Sequence, residues 1–270
     1  DVNYRLSLVY DKLNWKLKQL DNFYVVGAQY GGPVATAPII RSNNTKNDKN
    51  FNNTDDNLSN HDKFLLNNIL IHTASGQKIS SISLEAHPNI CGMYWTTLEH
   101  LMVVYETGKI VTYTIHGKIF RDNLIITEII NADITEVKFW TDGCVVRTSD
   151  DRLWAIEGLS NPNLQLRPRC FQLNSGLNNN NSGSGSGSRQ ATCMEILAPH
   201  LTRTNLPEVI LATNDCSIIV IDESGPEDQL LSDQLPAPVT AMALAPNGQF
   251  VSCFRGDGVE KIGWKNNQLP

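Results

Sequence analysis

Residues Asn89–Ile126 read NICGMYWTTLEHLMVVYETGKIVTYTIHGKIFRDNLII. Ile90–Trp95 is strand-like, and His100–Tyr105 is a second apolar run that ends in a Glu-Thr-Gly-Lys turn at Glu106–Lys109. Ile110–Ile115 is a third, closed by a His-Gly-Lys turn at His116–Lys118, and Ile119–Ile126 is a weaker, more polar fourth. Alternation near period two, punctuated by glycine and polar turns, belongs to strands rather than helices. Turns this short make the four runs a β-meander. The central runs are the most apolar, as expected where both faces of an inner strand are covered.

The unit recurs downstream. Ile134–Trp140, Cys144–Arg147 and Leu153–Ile156 are separated by Asp142-Gly143 and by Asp150-Asp151-Arg152. Ala191–Leu197, Glu208–Thr213 and Ser217–Ile221 follow, and then Val239–Leu244, Phe250–Phe254 and Val259–Trp264. First strands start at Ile90, Ile134, Ala191 and Val239, hence at offsets of 44, 57 and 48 residues. A period of ~40–50 residues with about four strands per unit marks propeller blades. An earlier unit is predicted from Trp15–Leu20, Tyr24–Tyr30 and Asn68–Thr73 as its first three strands, where Ser75–Ile79 (SGQKI) echoes His116–Ile119 (HGKI). Asn3–Tyr10 is predicted as an extra strand that closes a ring against a last blade. The fold class is therefore all-β, a WD40-like β-propeller, with residues 1–270 forming a single incomplete propeller domain of about five blades.

Two polar stretches, 42–62 (SNNTKNDKNFNNTDDNLSNHD) and 174–189 (NSGLNNNNSGSGSGSR), carry too little apolar surface to offset the entropy of ordering them. They are expected to be disordered insertions between strands, since the strand pattern resumes on either side. Asn-x-Ser/Thr triplets at Asn43, Asn52, Asn57 and Asn180 all fall in Asn-rich sequence, where they arise by composition.

A net charge of −6 over 270 residues gives no electrostatic footprint for nucleic acid and no polybasic patch for an anionic membrane. Apolar runs such as Leu101–Tyr105 and Ile218–Ile221 fall far short of the ~20 residues of a membrane helix. The chain opens at Asp1 without a signal-peptide pattern and is read as a fragment. Its six cysteines, Cys91, Cys144, Cys170, Cys193, Cys216 and Cys253, form no C-x-x-C pair and sit mostly in apolar runs. That is the usage of a small buried hydrophobe in a reducing compartment.

Asp133, Asp142, Asp150, Asp151 and Asp257 are the carboxylates that could serve glycoside hydrolysis, but nearly every one lies in or beside a tight turn, where Asp bonds its own backbone. His61 falls in the Asn-rich stretch and His116 in a turn, while His72, His87, His100 and His200 border strands, with no spacing that groups them as metal ligands. Ser75 and Cys144 lack the context of an activated nucleophile. Gly31-Gly32 precedes Pro-Val-Ala rather than Lys-Ser/Thr, so positive φ at a tight turn is expected there instead of a phosphate cradle. Gly183, Gly185 and Gly187 form a flexible linker, not a dinucleotide fingerprint. Trp15, Trp95, Trp140, Trp154 and Trp264 are expected in blade packing. No catalytic residue, cofactor or metal site is predicted, and no single rim residue can be named as a partner contact.

A family resemblance adds to this. Tyr24–Ile40, YVVGAQYGGPVATAPII, is similar to a strand–turn–strand near the start of the vacuolar protein sorting-associated protein 16 family, with Tyr30–Ala35 (YGGPVA) its distinctive core. Arg5–Tyr10, Trp15, Ile69–Ile82 (ILIHTASGQKISSI) and Gly108–Phe120 (GKIVTYTIHGKIF) resemble further segments in the same order. The resemblance covers most of Arg5–Trp264 outside the two polar insertions, and its specificity lies in order and spacing.

It implies a seven-bladed N-terminal propeller followed by a helical solenoid that docks a Sec1/Munc18-type protein. The implied assemblies are HOPS and CORVET, tethering complexes on late endosomes, lysosomes or vacuoles, and the implied role is a non-enzymatic scaffold in vesicle-mediated protein transport. The solenoid is absent from this sequence. Five blades cannot close a seven-blade ring, so two unpaired edges and aggregation are expected of this piece alone. Two rival readings make different demands. A WD-repeat adaptor needs Gly-His and Trp-Asp pairs once per blade, which the sequence lacks, and a propeller hydrolase needs carboxylates or histidines converging at one mouth.

Overall fold

The computed structural model describes residues 23–39, 64–84, 89–126, 133–159, 169–172, 190–222, 235–245, 248–255 and 258–263. Their strands form five antiparallel sheets, each built from consecutive strands. The first sheet holds β1 (Phe23–Gly27), β2 (Val34–Pro38), β3 (Asn68–His72) and β4 (Lys78–Ser83). The second holds β5 (Ile90–Trp95), β6 (Leu101–Tyr105), β7 (Lys109–Tyr113) and β8 (Ile119–Ile125). The third runs through β9 (Ile134–Trp140), β10 (Gly143–Thr148), β11 (Arg152–Glu157) and β12 (Arg169–Gln172). β13 (Ala191–Leu197), β14 (Glu208–Thr213) and β15 (Ile218–Ile221) make the fourth, and β16 (Val239–Leu244), β17 (Phe250–Arg255) and β18 (Gly258–Gly263) the fifth.

The repeating unit expected from the sequence is therefore present, with one correction in the first sheet. Trp15–Leu20, predicted as its first strand, lies outside the described residues. The predicted strand Tyr24–Tyr30 stops at Gly27 as β1, because a single 3₁₀ turn at Gln29–Gly31 reverses the chain, and β2 follows before Asn68. Tyr30 and Gly31 both take positive φ there, 59° and 77°, and Val34 returns to pair with Gly27. β12 is a strand that no periodicity foretold. Asn3–Tyr10, Trp264 and the stretches 42–62 and 174–189 lie outside the described residues.

Five of the turns share one construction. Thr73, Thr96, Thr114, Thr148 and Thr213 each end a strand, and the residue three positions on has positive φ: Gly76, Glu99, Gly117, Asp151 and Cys216. In each, the backbone N–H of that residue donates to the threonine carbonyl. The threonine hydroxyl binds inside the same turn, accepting from Gln77, His100 and Lys118 N–H or donating to the Arg152 and Ser217 carbonyls. A three-residue hairpin loop closed by a left-handed residue is a favoured way to turn two antiparallel strands.

A second device sits near the start of four first strands. Pairing skips Cys91, Thr135, Thr192 and Thr240, each the second residue of its strand. Such a bulge sharpens the local twist. The three threonine hydroxyls donate to carbonyls of the neighbouring strand, at Arg147, Ala212 and Phe254, and Thr192 also donates to the Val239 carbonyl at 2.7 Å.

Two units, Asp1–Ile125 and Ile126–Pro270, divide the chain. In the first unit one core lies between the first and second sheets, from Ala35, Ile69 and Ile71 across to Trp95, Leu101, Val103 and Tyr105. The second unit holds two cores. Val145, Leu153, Met194 and Leu211 pack between the third and fourth sheets, and Ile210, Val220, Val251 and Cys253 between the fourth and fifth. Every residue of β6, β14 and β15 is buried, so each of these sheets is covered on both faces. Within each unit, first strands lie side by side: β1 against β5, and β13 against both β9 and β16.

Candidate functional site

Of the carboxylates that tempt a catalytic reading, those of Asp150 and Asp151 are held in one turn. Asp150 accepts from the Thr148 hydroxyl and from Arg152, whose guanidinium lies 2.6 Å away, and these bonds outweigh burial and lower its pKa. Asp151 takes the left-handed position of that turn and faces Arg147 at 3.8 Å, while burial raises its carboxyl. The Asp133 carbonyl accepts from Ser149 N–H, and the Asp142 carbonyl from Leu159 N–H. Asp257, His61 and His87 lie outside the described residues. His72 ends β3, His100 closes a turn with its ring 4.1 Å from that of Phe120, His116 is in the next turn, and His200 is in the 3₁₀ turn after β13. Among the described residues, no three His, Cys, Asp or Glu side chains gather as metal ligands.

Three of the thiols are disfavoured as nucleophiles. Burial pushes Cys144 up to about 12 and Cys193 up to about 11, and burial together with Glu106 pushes Cys91 up to about 11. A reactive cysteine needs the opposite shift. Trp95, Trp140 and Trp154 are buried, as blade packing requires, and Trp95 Nε1 donates to the Val26 carbonyl at 3.1 Å, tying β5 to β1. Trp15 and Trp264 are not among the described residues.

The strongest charge grouping spans the third and fourth sheets. Arg147 on β10 donates to Glu136 on β9 at 3.2 Å and to the Ala191 carbonyl at 2.9 Å. Lys138 on β9 meets Glu195 on β13 at 2.6 Å. The Arg147–Ala191 and Lys138–Glu195 contacts join the third and fourth sheets, and the Arg147–Glu136 pair lies within the third. Glu208, at the start of β14, is 2% exposed, and one of its carboxyl oxygens has no hydrogen-bond partner. Burial, helped by Asp222, raises it to about 6 against a pull the other way from Thr204.

Two turns of the first unit carry exposed side chains next to each other. Tyr30 is fully exposed and Leu98 is 61% exposed. Their turns touch: a Cβ added at Gly32 would lie 3.3 Å from Glu99 Oε1 and 2.9 Å from Ala28 Cβ. Positive φ, expected at Gly31-Gly32, is needed only at Gly31, since Gly32 is extended at φ −69° and owes its place to lack of room. Sequence reasoning marked the glycines of this turn but missed its exposed aromatic, because nothing in a sequence distinguishes a tyrosine in the left-handed region from one in a strand.

A family model described as Vps16, N-terminal region, matches residues 1–198. The chain belongs to that family. The Vps16 N-terminal segment matched includes the first three sheets and β13. Two curated relatives agree. A Vacuolar protein sorting-associated protein 16 homolog of Dictyostelium discoideum is 24% identical over 233 residues, 86% of this chain and 25% of that protein. Protein VACUOLELESS1 of Arabidopsis thaliana is 24% identical over 274 residues, 96% of this chain and 29% of its own length. The chain thus spans between a quarter and a third of these relatives.

Solved structures give the fold of this Vps16-family chain. The β-propeller domain of Myceliophteria thermophila Cps50 (Swd1) superposes with a TM-score of 0.54 at 10% identity, covering 91% of this chain and 67% of that one. BBS1N, solved in complex with ARL6DN, gives 0.55 at 14% identity, covering 92% and 66%. The sheets are blades of a β-propeller.

Proposed function

We propose that this chain is a non-enzymatic scaffold module of the HOPS and CORVET tethering complexes, acting in vesicle-mediated protein transport and in endosome–lysosome or vacuole fusion. The observation that carries the reading is the Vps16 N-terminal-region match over residues 1–198, seconded by two relatives that align with most of the chain. The described side chains support a role without chemistry: carboxylates held in turns, thiols raised by burial and charged groups used between sheets. Turns displayed on the ends of hydrogen-bonded sheets are suited to protein contact, which fits a scaffold. In this reading residues 1–270 are one incomplete propeller. The complete protein works beside other subunits, including a Sec1/Munc18-type protein docked on a helical region outside this chain, and sits peripherally on late endosomal, lysosomal or vacuolar membranes. Among the described residues no helix is long and apolar enough to cross a membrane.

The test is to tag the complete protein in its own cells and identify what is isolated with it by mass spectrometry. Recovery of a Sec1/Munc18-type protein with other propeller–solenoid subunits is the expected result. Recovery of unrelated partners only would refute membership of a tethering complex.

A further inference from the structure

Glu208 opens β14 with its side chain shut away from water and one carboxyl oxygen without a partner. Strand register brings a second carboxylate to it. Val209 pairs with Ile221, so the next residues along, Glu208 and Asp222, come opposite each other on adjacent strands. Like charges directly opposite in an antiparallel pair are destabilising, and a buried carboxylate with an unfilled lone pair adds its own penalty. The other elements around it bring little relief. On β13, Leu197 pairs with Glu208, and Glu195, two residues back, is bridged to Lys138. The fifth-sheet residues of the shared core, Met242, Leu244, Val251 and Cys253, carry no charge. His200 and Arg203, in the connection before β14, are exposed.

That connection is held together by hydroxyls. After the 3₁₀ turn at Pro199–Leu201, Thr202 Oγ1 donates to the Leu206 carbonyl at 2.8 Å and to the Pro199 carbonyl at 3.0 Å. Leu206 N–H donates to the Thr204 hydroxyl at 3.3 Å, and the same hydroxyl bonds the Glu208 carboxyl. Leu201 carries the segment to the next sheet. It packs on the core between the fourth and fifth sheets, and a Cβ added at Gly248, between β16 and β17, would stand 3.0 Å from its Cδ1. One carboxyl is thus tied, through Thr204, to a segment that touches the fifth sheet.

We propose that Glu208 is a proton-sensitive latch: protonated, it lets residues 199–207 lie closed against the fifth sheet, and ionised, it drives that segment to open. A neutral carboxyl removes the opposition to Asp222. A carboxylate gains its hydration only when the cover over it moves, and the cover is a short connection rather than a strand. Openings of such segments lie well below the free energy of global unfolding. Burial first, and then Asp222, hold the proton on the closed form, whose carboxyl is raised to about 6 against 4.5 for an ordinary glutamate. The closed form is therefore favoured most below the lower value and loses that advantage as pH rises through 6. The difference is worth about thirtyfold in opening at its limit. This device is independent of the tethering reading.

The test is amide hydrogen exchange of the complete protein, read by mass spectrometry at pH 4.5 and 7.5 across low urea concentrations and corrected for intrinsic exchange. Residues 199–207 should open about tenfold or more often at pH 7.5. That opening should not change with urea, because a short segment exposes little surface. Glu208→Gln, which keeps a bonding group for Thr204 and cannot ionise, should hold the segment closed at both pH values. Asp222→Asn should shrink the response to pH without abolishing it. Equal opening of the wild type at both pH values, an undiminished response in Glu208→Gln, or opening that follows urea as global unfolding does, would each overturn the proposal.

Discussion

At Gly143, the first residue of β10, the chain runs so closely under Trp140 that an added Cβ would overlap the indole ring and the Ile156 carbonyl. Neither can retreat cheaply, because Trp140 is buried and Ile156 is paired with Cys144. Gly143→Ala should therefore cost about 3 kcal/mol or more in thermal or denaturant unfolding. Gly27→Ala, whose Cβ would meet nothing nearer than 4.0 Å, is the matched control and should cost much less. Glu208 makes a prediction of different sign with pH. Its folded carboxyl, raised to about 6, binds a proton more tightly than an unfolded glutamate near 4.5, so its contribution is intact below that lower value and is lost as pH rises through 6. The loss is roughly 2 kcal/mol. Glu208→Gln should melt higher than wild type at pH 7.5 and converge with it near pH 4.5; parallel melting curves at both pH values would count against it. Turn residues were only partly legible in the sequence. Gly76 and Gly117 announced their turns, whereas Glu99, Asp151 and Cys216 take the same left-handed position with nothing in their residue type to show it. The shared mark was the threonine three residues earlier, which bonds within each turn.

Strand existence was read well from alternation and from apolar runs bounded by turn residues, as in β5 to β7 and β13 to β15. In the first sheet β2 went unseen for a local reason. Tyr24–Tyr30 reads as one mostly apolar run, and only the backbone shows that it stops at Gly27 and that Val34–Pro38 is its partner. β12 went unseen because Pro162 and Pro168 precede a four-residue strand too short to alternate. The bulges at Cys91, Thr135, Thr192 and Thr240 leave no pattern in hydrophobicity, yet they recur at one place in four sheets. Between the third and fourth sheets, Arg147 and Lys138 should differ sharply in weight. Arg147 is 11% exposed and serves Glu136 and the Ala191 carbonyl together, so Arg147→Ala should destabilise by about 2 kcal/mol. The Lys138–Glu195 pair is more exposed, and Lys138→Ala should cost about 0.5 kcal/mol. Equal losses in urea unfolding would show that the two bridges carry the same load.

For the molecule as a whole, cysteine chemistry offers a readout of each unit. Cys91 belongs to the first unit, and Cys144 and Cys193 to the second. All three thiols are raised to about 11 or about 12 by burial. At pH 8 they should resist maleimide until their own unit opens, so labelling mapped by mass spectrometry across a denaturant series should follow two transitions if the units unfold separately. Rapid modification of Cys144 in the native protein would contradict its burial. The net charge of −6 and the family resemblance were open to view in the sequence. The exposure of Tyr30 was not, since it depends on a turn whose backbone no sequence pattern reports.

Because every sheet is made from consecutive strands, nearly all pairing is local along the chain. Local pairing folds quickly and suits a chain emerging from the ribosome one segment at a time. The second sheet is continuous from Ile90 to Ile125, but the first is split, with β2 ending at Pro38 and β3 beginning only at Asn68. During synthesis the β1–β2 hairpin, with Tyr30 at its tip, is therefore made about thirty residues before β3 begins. For that interval its apolar face waits for the strand that pairs with it, and a chaperone acting on the nascent chain would find work there.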